Sequence, residues 1–372
     1  MRILYFNDAL AIWGGLERVL IDKMNYLADD GCEIFTITYN QGSHPFPYPL
    51  TPNIIHRDLD VRLHYYYRYH GLKKLYFKYR LQRLLIKRLQ SEIEKFKPDV
   101  IVCPRIDLIG FVVKAKGNVP LVFESHSSCK WISYETNGLL WHVKRYSFRR
   151  QAKKAQMIVA LTEGDAVEWR KLTPNVCVIP NVVHLNKSHV YSDCQAKSVI
   201  FVGRFSIQKD VSSLLRIWEI VHQCHPDWNL HIYGGYGEEQ EAMLEKIKQM
   251  NASILVCEPT IDILEKYKES SIILLTSRFE PFGLVLPEAM SCGVPVVAFD
   301  CPYGPADIIT DGVDGFLIRH RSIEDFANKV SLLMGNQELR IKMGTAGIES
   351  SLRYDAARIM PLWKKLFEHL IN

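Results

Sequence analysis

The sequence lacks long apolar runs, paired cysteines and any internal repeat. No uninterrupted apolar stretch in the 372 residues approaches the ~18 to 20 that a membrane-spanning helix needs. The nine cysteines are scattered and none forms a C-x-x-C pair, so they indicate reduced thiols in the core, not a disulfide framework or a zinc site. No low-complexity tract is present, and a hydrophobic content of 48% is enough for a folded core.

A secretory signal is also missing from the start of the chain. Residues 1–7 read as a short buried strand, without the charged start, the long apolar stretch and the small-residue cleavage site of a signal peptide. Together with the unpaired cysteines, this predicts a cytoplasmic location. The net charge of +5 does not by itself imply a nucleic-acid partner.

Short β-branched runs alternate with longer helical stretches, a pattern typical of parallel α/β layers. The pattern starts again near residue 198, and the length favours two domains. We therefore predict two Rossmann-like, doubly wound domains at 1–182 and 183–355. A final helix within 356–372 carries its apolar residues on one side, and we expect it to cross back to the first domain.

The predicted elements can be given by their bounds. In the first half, the predicted strands are residues 2–6, 33–38, 99–103, 120–123 and 157–161. The predicted helices there are residues 15–29, 71–96 and 138–154. In the second half, the predicted strands are residues 198–202, 228–233, 253–257, 272–275, 295–298 and 316–318, and the first predicted helix covers 210–223.

Two glutamates flank a glycine in the segment E-P-F-G-L-V-L-P-E-A-M, which runs from Glu280 to Met290. Pro287 suits the first helical position, where its missing N–H needs no partner, so the segment is predicted to be a loop that runs into a helix. The free amides and the positive end of that helix predict an anion site. Glu280 and Glu288 could then hold a hydroxyl-rich ligand at two points. A surface loop with an acidic helix start is the alternative.

A glycine and two cations follow the predicted strand at 198–202. Gly203 lets a ligand approach the strand end, and Arg204 and Lys209, five residues apart, can hold a diphosphate. A solvated basic turn is the alternative. Together with the helix start at 284–288, these residues supply the charge that a leaving diphosphate needs without a metal ion.

The remaining candidates lie in the first half of the chain. Gly14 and Gly15 form a strand-to-helix turn in which backbone amides can come close to a ligand, although tight turns favour glycine in any case. His126 follows a strand end, the usual place for functional groups in such sheets, and a structural histidine is the alternative. Ser125 precedes it without a G-x-S-x-G motif, so no nucleophilic triad is predicted.

These four groups of residues, in their order along the chain, resemble the retaining glycosyltransferases of family 4, the glycosyl transferases group 1 typical of bacterial polysaccharide synthesis. The spacing of Glu280 and Glu288 is the most diagnostic part, and the segment at 300–315 also looks like the family's loop beyond it. The resemblance spans nearly the whole chain. It implies a GT-B fold, in which an acceptor-side domain and a nucleotide-sugar domain face each other across a cleft.

The resemblance also implies roles for individual residues. Arg204 and Lys209 would neutralise the donor diphosphate, Glu280 would bind hydroxyls of the transferred sugar, and Glu288 would bind the ribose. His126 would contact the donor sugar. The residues implied to bind the donor are Gly14, Gly15, Gly203, Arg204, Lys209, Glu280, Phe282, Gly283, Leu284 and Glu288. The residues implied to take part in catalysis are His126, Arg204, Lys209 and Glu280.

The sequence departs from the family pattern at two positions. Asp210 stands where the family often has glycine, which alters the start of a helix. Asn181 is followed by valine where Asn-Gly is usual, so Asn181 is left out of the predicted site. The glycine cluster at 232–237 has the wrong spacing for a dinucleotide fingerprint and is similar to the family's turn beside the nucleotide pocket.

Basic residues are concentrated in two segments without any acid. Residues 61–91 contain nine Lys or Arg interleaved with aromatic rings, and residues 141–154 contain six. This pattern predicts a helix that lies on anionic lipid with its aromatic rings at the headgroup level. A solvated basic face is the alternative; single-stranded nucleic acid also uses such residues, but no nucleic-acid partner is predicted. The cations expected at the membrane or acceptor side are Lys73, Lys74, Arg80 and Arg83.

The complete prediction is a retaining transferase that needs neither a cofactor nor a metal. Its donor is expected to be a UDP-linked hexose or N-acetylhexosamine, because the loop at 301–305 resembles that of UDP-sugar users. Its acceptor is expected to be a lipid-linked glycan or polysaccharide precursor, such as that of capsule or O-antigen, at the inner face of the cytoplasmic membrane. No carboxylate is placed as a covalent nucleophile, so front-face attack is preferred. A nucleotide-sugar epimerase and a non-catalytic basic membrane-binding protein are the alternatives.

Overall fold

The computed structural model describes residues 1–129 and 139–372, which form two compact units. The first unit contains Met1–Val182 and Ala356–Asn372, and the second contains Val183–Asp355. Each unit is built on a parallel β-sheet with helices on its faces, so the predicted α/β fold class with two Rossmann-like domains is confirmed.

The sheet of the first unit has the strand order β3-β2-β1-β4-β5-β6-β7, and every pair in it is parallel. The strands are β1 (Arg2–Phe6), β2 (Glu33–Thr38), β3 (Ile55–Asp58), β4 (Val100–Cys103), β5 (Leu121–Ser125), β6 (Met157–Ala160) and β7 (Val176–Val178). The helices between them are α1 (Gly15–Asp29), α2 (Gly71–Phe96), α3 (Ile109–Ala115), α4 (Leu139–Ala152) and α5 (Glu163–Arg170). A 3-10 turn at Leu63–Arg68 precedes α2.

The sheet of the second unit has the strand order β10-β9-β8-β11-β12-β13, again with parallel pairs. The strands are β8 (Ser198–Gly203), β9 (Asn229–Gly234), β10 (Ile254–Cys257), β11 (Ile272–Leu275), β12 (Val296–Phe299) and β13 (Gly315–Ile318). The helices are α6 (Val211–Cys224), α7 (Gln240–Gln249), α8 (Ile263–Lys268), α9 (Val285–Ser291), α10 (Gly304–Ile308), α11 (Ile323–Gly335) and α12 (Gln337–Ser351). Two 3-10 turns cover Arg319–Arg321 and Leu352–Tyr354.

Most of the predicted elements lie within two residues of the observed ones. The predicted helix at 138–154 is observed from Leu139 to Ala152, and its predicted first residue lies outside the described part of the chain. Strands β3 and β7 and helices α3 and α5 were not predicted. Strand β3 has the sequence I-H-R-D and β7 has only three residues, and both lie at sheet edges, where too little apolar surface is buried to leave a sequence pattern.

The first sheet is covered on both faces, as expected for a parallel sheet. Along β1, Leu4 and Phe6 point to the core formed with α2, α3 and α5, whereas Ile3 and Tyr5 point to the core formed with α1 and the last helix. That helix, α13 (Ala356–Ile371), begins after the second unit and packs against α1 in the first. Across residues 1–129 and 139–372, every helix is too short or too polar to span a bilayer.

A buried ion pair lies beneath α13. Lys23 of α1 and Glu124 of β5 are each about 1% exposed, and the Lys23 ammonium contacts a Glu124 carboxylate oxygen directly. The same ammonium lies 4.1 Å from the ring centroid of Trp363 on α13. Burial raises the pKa of Glu124, but the adjacent Lys23 and His126 outweigh it and hold that pKa at about 2. The carboxylate is therefore charged inside the fold, and its partners are what keep it so.

Replacing Lys23 with methionine should destabilise the protein by about 3 to 5 kcal/mol, because the Glu124 carboxylate then stays buried without its ammonium partner. The double variant Lys23→Met, Glu124→Gln carries neither charge and should recover most of that loss. Because the folded-state pKa of Glu124 lies below its usual 4.5, the parent should lose the pair's contribution as pH falls from 4.5 towards 2. Urea unfolding measures both effects, and equal stability of the single and double variants would contradict this account.

Candidate functional site

The order of the strands reverses at one point in each sheet. This point lies between β1 and β4 in the first unit and between β8 and β11 in the second. The loops after two such strands diverge, and ligands of open α/β sheets bind in the crevice between them. Strand β8 ends at Gly203 and the loop after it carries Arg204 and Lys209, whereas the loop after β11 carries Glu280. The topology of the second unit therefore brings four of the predicted residues to the same edge of one sheet.

Lys209 and Glu280 are in direct contact. The Lys209 Nζ atom lies 2.5 Å from Glu280 Oε1, and the Ser277 hydroxyl donates a hydrogen bond of 2.7 Å to the same oxygen. The Glu280 residue is only 4% exposed. Its backbone N–H donates to the Pro302 carbonyl at 2.8 Å, and its carbonyl accepts from the Tyr303 N–H at 2.8 Å. Glu280 is thus held in place by hydrogen bonds of both its carboxylate and its backbone.

Three further hydrogen bonds join the two loops. The Arg278 N–H donates to the Gln208 carbonyl at 2.8 Å, and the Gln208 amide donates to the Phe279 carbonyl at 3.2 Å. The Thr276 hydroxyl donates to the Lys209 carbonyl at 3.0 Å. The loops after β8 and β11 therefore form one connected structure, and displacement of one would displace the other.

Asp210, which replaces the family's frequent glycine, is the centre of this connection. Its φ of 49° lies in the left-handed region that favours glycine, and its side chain caps α6 by accepting from the Ser213 N–H. The carboxylate also pairs with Arg321 at 2.6 Å and with Arg278 at 3.3 Å. Arg321 in turn donates to the carbonyls of Thr276 and Ser277 at 3.0 and 2.7 Å. The substitution therefore does more than alter a helix start, because it anchors the Glu280 loop.

The helix that carries Glu288 begins earlier than the sequence predicts. Helix α9 starts at Val285, so Pro287 is the third helical residue and not the first. The Glu288 N–H already donates to the Leu284 carbonyl at 3.2 Å. The prediction that the helix begins near Pro287 is therefore wrong by two residues, because the turn at Gly283 sets the start. The amides of Glu288 and the residues after it belong to the helix and are not free for an anion.

Glu288 lies mostly buried in the first turn of α9, at 9% exposure. The Tyr267 hydroxyl lies 3.3 Å from Glu288 Oε2 and donates to it. Burial raises the pKa of Tyr267 well above its usual value, and the Glu288 charge raises it further, so the tyrosine stays a proton donor. The second predicted carboxylate is thus also oriented by a neighbour that the sequence did not reveal.

The turn between the two glutamates is backed by a close backbone contact. Gly283 has a φ of 95°, a conformation that glycine adopts without strain. Gly304 lies directly against the Phe282 carbonyl, where no Cβ atom would fit. The Phe282 ring packs on Tyr354 with a centroid distance of 5.2 Å, and Leu284 precedes the first helical residue. The segment at 300–315 therefore supports the turn at 282–284, whose residues are among those implied to bind the donor.

Arg204 differs from the other predicted residues of the second unit. Its side chain is exposed, and it makes no ion pair or hydrogen bond with any residue of the described segments. Behind it, Gly234 and Gly237 have positive φ values and lie against the carbonyls of Gly203 and Phe205, too close for a Cβ atom. The glycine cluster thus allows the segment after β9 to pack closely against the backbone at Gly203 and Phe205. The guanidinium of Arg204 stays exposed, where it can bind a ligand.

The first unit holds Gly14, Gly15 and His126. Gly14 precedes α1 with an extended φ of −142°, which any residue adopts, but the Glu17 carboxylate lies where a Cβ atom would be. Gly15 is the first residue of α1. The His126 Nε2 atom lies 2.9 Å from Glu124 Oε1, the oxygen that Lys23 also contacts. The sequence offered one sign of this arrangement, since Glu124 is a charged residue within an apolar strand.

The four cations predicted for the membrane side lie on the first half of α2. Lys73, Arg80 and Arg83 are exposed and Lys74 is partly buried. Helix α2 has no fully buried residue before Leu85, and this half of the helix touches the core through the partly buried Leu81. We call residues 63–84 the aromatic–basic surface.

Apolar and aromatic side chains accompany these cations on the aromatic–basic surface. Leu72 is 85% exposed, and Leu75 and Tyr76 are about 60% exposed. The Lys74 ammonium lies 4.9 Å from the Tyr67 ring centroid, and the Arg83 guanidinium lies 5.5 Å from that of Tyr79. Apolar surface of this extent, rimmed by cations, marks an interaction site more often than a solvated face.

The second basic segment, 141–154, has a different shape. The side chains of residues 141, 144 and 145 lie outside the described residues, so the prediction for those positions is not addressed. Arg149, Arg150 and Lys153 line a cavity beside α4. The second basic segment therefore lines a cavity, whereas the aromatic–basic surface is an exposed helix face.

Among the described residues, the cysteines, histidines and acids form no cluster that could hold a metal ion. All nine cysteines are free thiols. Within the segments 1–129 and 139–372, no three His, Cys, Asp or Glu side chains lie close enough together to hold a metal ion.

Family profiles match nearly the whole chain. The profile described as Glycosyltransferase Family 4 matches residues 13–187, and that described as Glycosyl transferases group 1 matches residues 187–350. The chain belongs to glycosyltransferase family 4. This glycosyltransferase is 29% identical to a glycosyltransferase of Haemophilus influenzae, over 98% of this chain and 99% of that protein. It is 34% identical to the amylovoran biosynthesis glycosyltransferase AmsD of Erwinia amylovora, over 57% of this chain and 62% of AmsD.

The fold of the glycosyltransferase also has a counterpart among solved structures. TarM of S. aureus superposes with a TM-score of 0.79 at 15% sequence identity, over 98% of this chain and 99% of TarM. At that identity the likeness concerns the fold alone. It confirms the GT-B class implied by the sequence.

The backbone at Asp210 allows a direct test of the connected loops. Asp210→Ala and Asp210→Gly remove the same carboxylate, but only alanine keeps a Cβ atom in the left-handed conformation. We expect both variants of the glycosyltransferase to be less stable than the parent. The free energy of unfolding of the alanine variant should be lower than that of the glycine variant by about 1 kcal/mol. Thermal and urea unfolding measure the difference. Equal stability of the two variants would show that the left-handed backbone conformation at this position costs a residue with a Cβ atom nothing.

Proposed function

We propose that this glycosyltransferase transfers a hexose or N-acetylhexosamine from a UDP-linked donor, with retention of configuration, to a polysaccharide precursor of the bacterial cell surface. The observation that carries the proposal is the Lys209–Glu280 pair at the switch point of the second sheet, with the exposed Arg204 in the same loop as Lys209 and in no ion pair with the described residues. The names of the relatives support the class of product and donor. AmsD is named for amylovoran biosynthesis, and TarM was solved with UDP and α-GlcNAc-glycerol.

The proposed donor site uses the two halves of the Lys209–Glu280 pair separately. Arg204 and Lys209 bind the diphosphate, and Glu280 accepts hydrogen bonds from hydroxyls of the transferred sugar. The exchange is favourable because a donor offers both an anion and hydroxyls at neighbouring positions, so neither partner is left buried and unpaired. Glu288, oriented by Tyr267, binds the ribose hydroxyls.

The proposed reaction breaks the bond between the anomeric carbon and the β-phosphate oxygen. The electron pair leaves with the diphosphate, whose growing charge is stabilised by Arg204 and Lys209. The acceptor hydroxyl attacks from the same face through an oxocarbenium-like state, and its proton passes to the departing phosphate oxygen. These two cations do the work of a divalent metal, so no cofactor is included in the proposal. His126 contacts the donor sugar, and Glu124 orients the His126 side chain.

Alanine variants of the two glutamates should fail in different ways. Glu288→Ala loses the ribose contact and should weaken UDP binding by about tenfold or more. Glu280→Ala loses the sugar contact and should lower turnover much more than UDP affinity. Calorimetry with UDP and an assay of UDP release, both in EDTA, measure these effects.

A matched control separates these effects from a general loss of charge. Glu349→Ala removes an exposed glutamate of α12 and should change neither quantity. Unchanged UDP affinity of Glu288→Ala would refute the ribose contact. Activity that appears only with added Mg²⁺ or Mn²⁺ would refute the metal-free site.

We also propose that the aromatic–basic surface binds the inner face of the cytoplasmic membrane and that the acceptor is lipid-linked. The exposed Leu72 and Leu75 would enter the headgroup layer, and the tyrosines would lie at its boundary. Each Lys or Arg near an anionic surface adds about 1 kcal/mol. Two of the nine basic residues of 61–91 serve the fold instead, because Arg62 pairs with Asp60 at 2.8 Å and Arg88 donates to the Asp60 carbonyl at 3.2 Å.

Vesicle binding should therefore depend on lipid charge and on the four cations of α2. The protein should bind phosphatidylglycerol vesicles and not phosphatidylcholine vesicles, and binding should weaken with salt, which screens exposed charges over about 10 Å at 0.1 M. The variant with serine at positions 73, 74, 80 and 83 should lose binding. Flotation with the vesicles measures it.

The control variant carries serine at four exposed lysines outside this surface, at positions 114, 248, 342 and 365. It has the same net charge as the α2 variant and should bind vesicles like the parent. An equal loss in both variants would show that only net charge matters. Binding that ignores headgroup charge or salt would mean that the surface does not dock on anionic lipid.

A further inference from the structure

A cavity beside α4 is lined by side chains that share one charge sign. Its volume is about 640 Å³, within the range of small-molecule sites. Five of its lining residues come from α4 and the residue after it, at the spacing of one helical face, and the sixth comes from the segment after α5. The lining residues are His142, Tyr146, Arg149, Arg150, Lys153 and Leu172.

The three strong cations of this α4 cavity have no counter-charge in the described part of the chain. Arg149, Arg150 and Lys153 form no ion pair there, and the sequence from 141 to 154 contains no Asp or Glu. On the neighbouring helix α5, Glu163 pairs with Arg170 at 2.8 Å and Glu168 pairs with Lys171 at 2.7 Å. Both of these acids are therefore engaged with other cations.

One donor in the cavity is buried without an acceptor. The Arg149 Nε atom is inaccessible to solvent and makes no hydrogen bond with the described residues. A buried donor without an acceptor costs about 1 to 3 kcal/mol, a cost that a bound anion would remove. An anion bound in the cavity, with a small shift of the Arg149 side chain, would supply the missing acceptor.

The chemistry of the lining selects the class of anion. Two guanidinium groups and one ammonium exceed what a single carboxylate can neutralise, whereas a phosphodiester or diphosphate presents several oxygens in the geometry that arginine binds. A concave wall of one charge sign focuses the field on such a ligand. Tyr146 and Leu172 add a ring and an apolar wall on which the group attached to the phosphate can pack.

We infer that the α4 cavity binds a phosphoryl group of the acceptor, so that the acceptor is a phosphate-bearing glycan. This inference rests on the proposed function, because the cavity belongs to the unit that lacks Arg204, Lys209 and both glutamates of the donor site. It assigns different roles to the two basic segments. The aromatic–basic surface contacts lipid, and the α4 cavity recognises the acceptor.

The test uses inorganic pyrophosphate as the probe, titrated into the full-length protein saturated with UDP so that the donor site is blocked. The variant Arg150→Gln, Lys153→Gln changes two exposed side chains of the cavity and should weaken pyrophosphate binding about tenfold or more. The control Lys114→Gln, Lys154→Gln removes the same charge at exposed positions outside the lining and should stay within about twofold of the parent. Arg149→Gln provides a second cavity variant.

Each outcome decides for or against the cavity. No pyrophosphate binding by the parent, or an equal loss in the cavity and control variants, would overturn the inference. Phosphatidylglycerol vesicles serve as the second arm, and the cavity variant should bind them like the parent. Loss of vesicle binding without any pyrophosphate site would assign these cations to the lipid surface instead. UDP affinity is measured on the same samples, so failure of the proposed donor site would appear there and not in the pyrophosphate titration.

Discussion

The ion pair between Lys209 and Glu280 joins two loops that are 71 residues apart in the sequence. It forms because β8 and β11 are neighbours at the point where strand order reverses, so their following loops start side by side. A buried pair of this kind returns little net stability, since desolvation offsets the attraction. Its value lies in keeping a cation and an acceptor of hydroxyl hydrogen bonds together.

The Asp210 network shows how the second unit keeps that pair in place. The Asp210 carboxylate holds Arg278 and Arg321, and Arg321 also binds the backbone just before Glu280. The first unit uses the same principle around Glu124, which joins Lys23 of α1 to His126 at the end of β5. Helix α13 covers that pair with Trp363. In both units, a buried carboxylate connects elements that are distant in sequence.

The basic residues of the first unit differ by the shape of the surface that carries them. On the first half of α2 they lie on a projecting helix with exposed leucines and tyrosines, which suits a broad, charged layer such as a membrane. On α4 they line a cavity of about 640 Å³, which suits one multivalent anion. Composition alone makes the two segments look alike. Curvature separates them, and curvature depends on what packs behind each helix.

The sequence by itself determined the sheet strands of the interior and the long helices, because buried strands and helix faces demand particular residues locally, and it singled out Glu280, Glu288, Arg204 and Lys209 as candidates for the donor site. It did not determine the start of α9, the edge strands β3 and β7, or the partners of those residues. Tyr267 and Arg321 carry no local signal, since each binds a residue far along the chain, 21 and 111 positions away. Which side chains meet is decided by which strands become neighbours, and only the tertiary structure settles that.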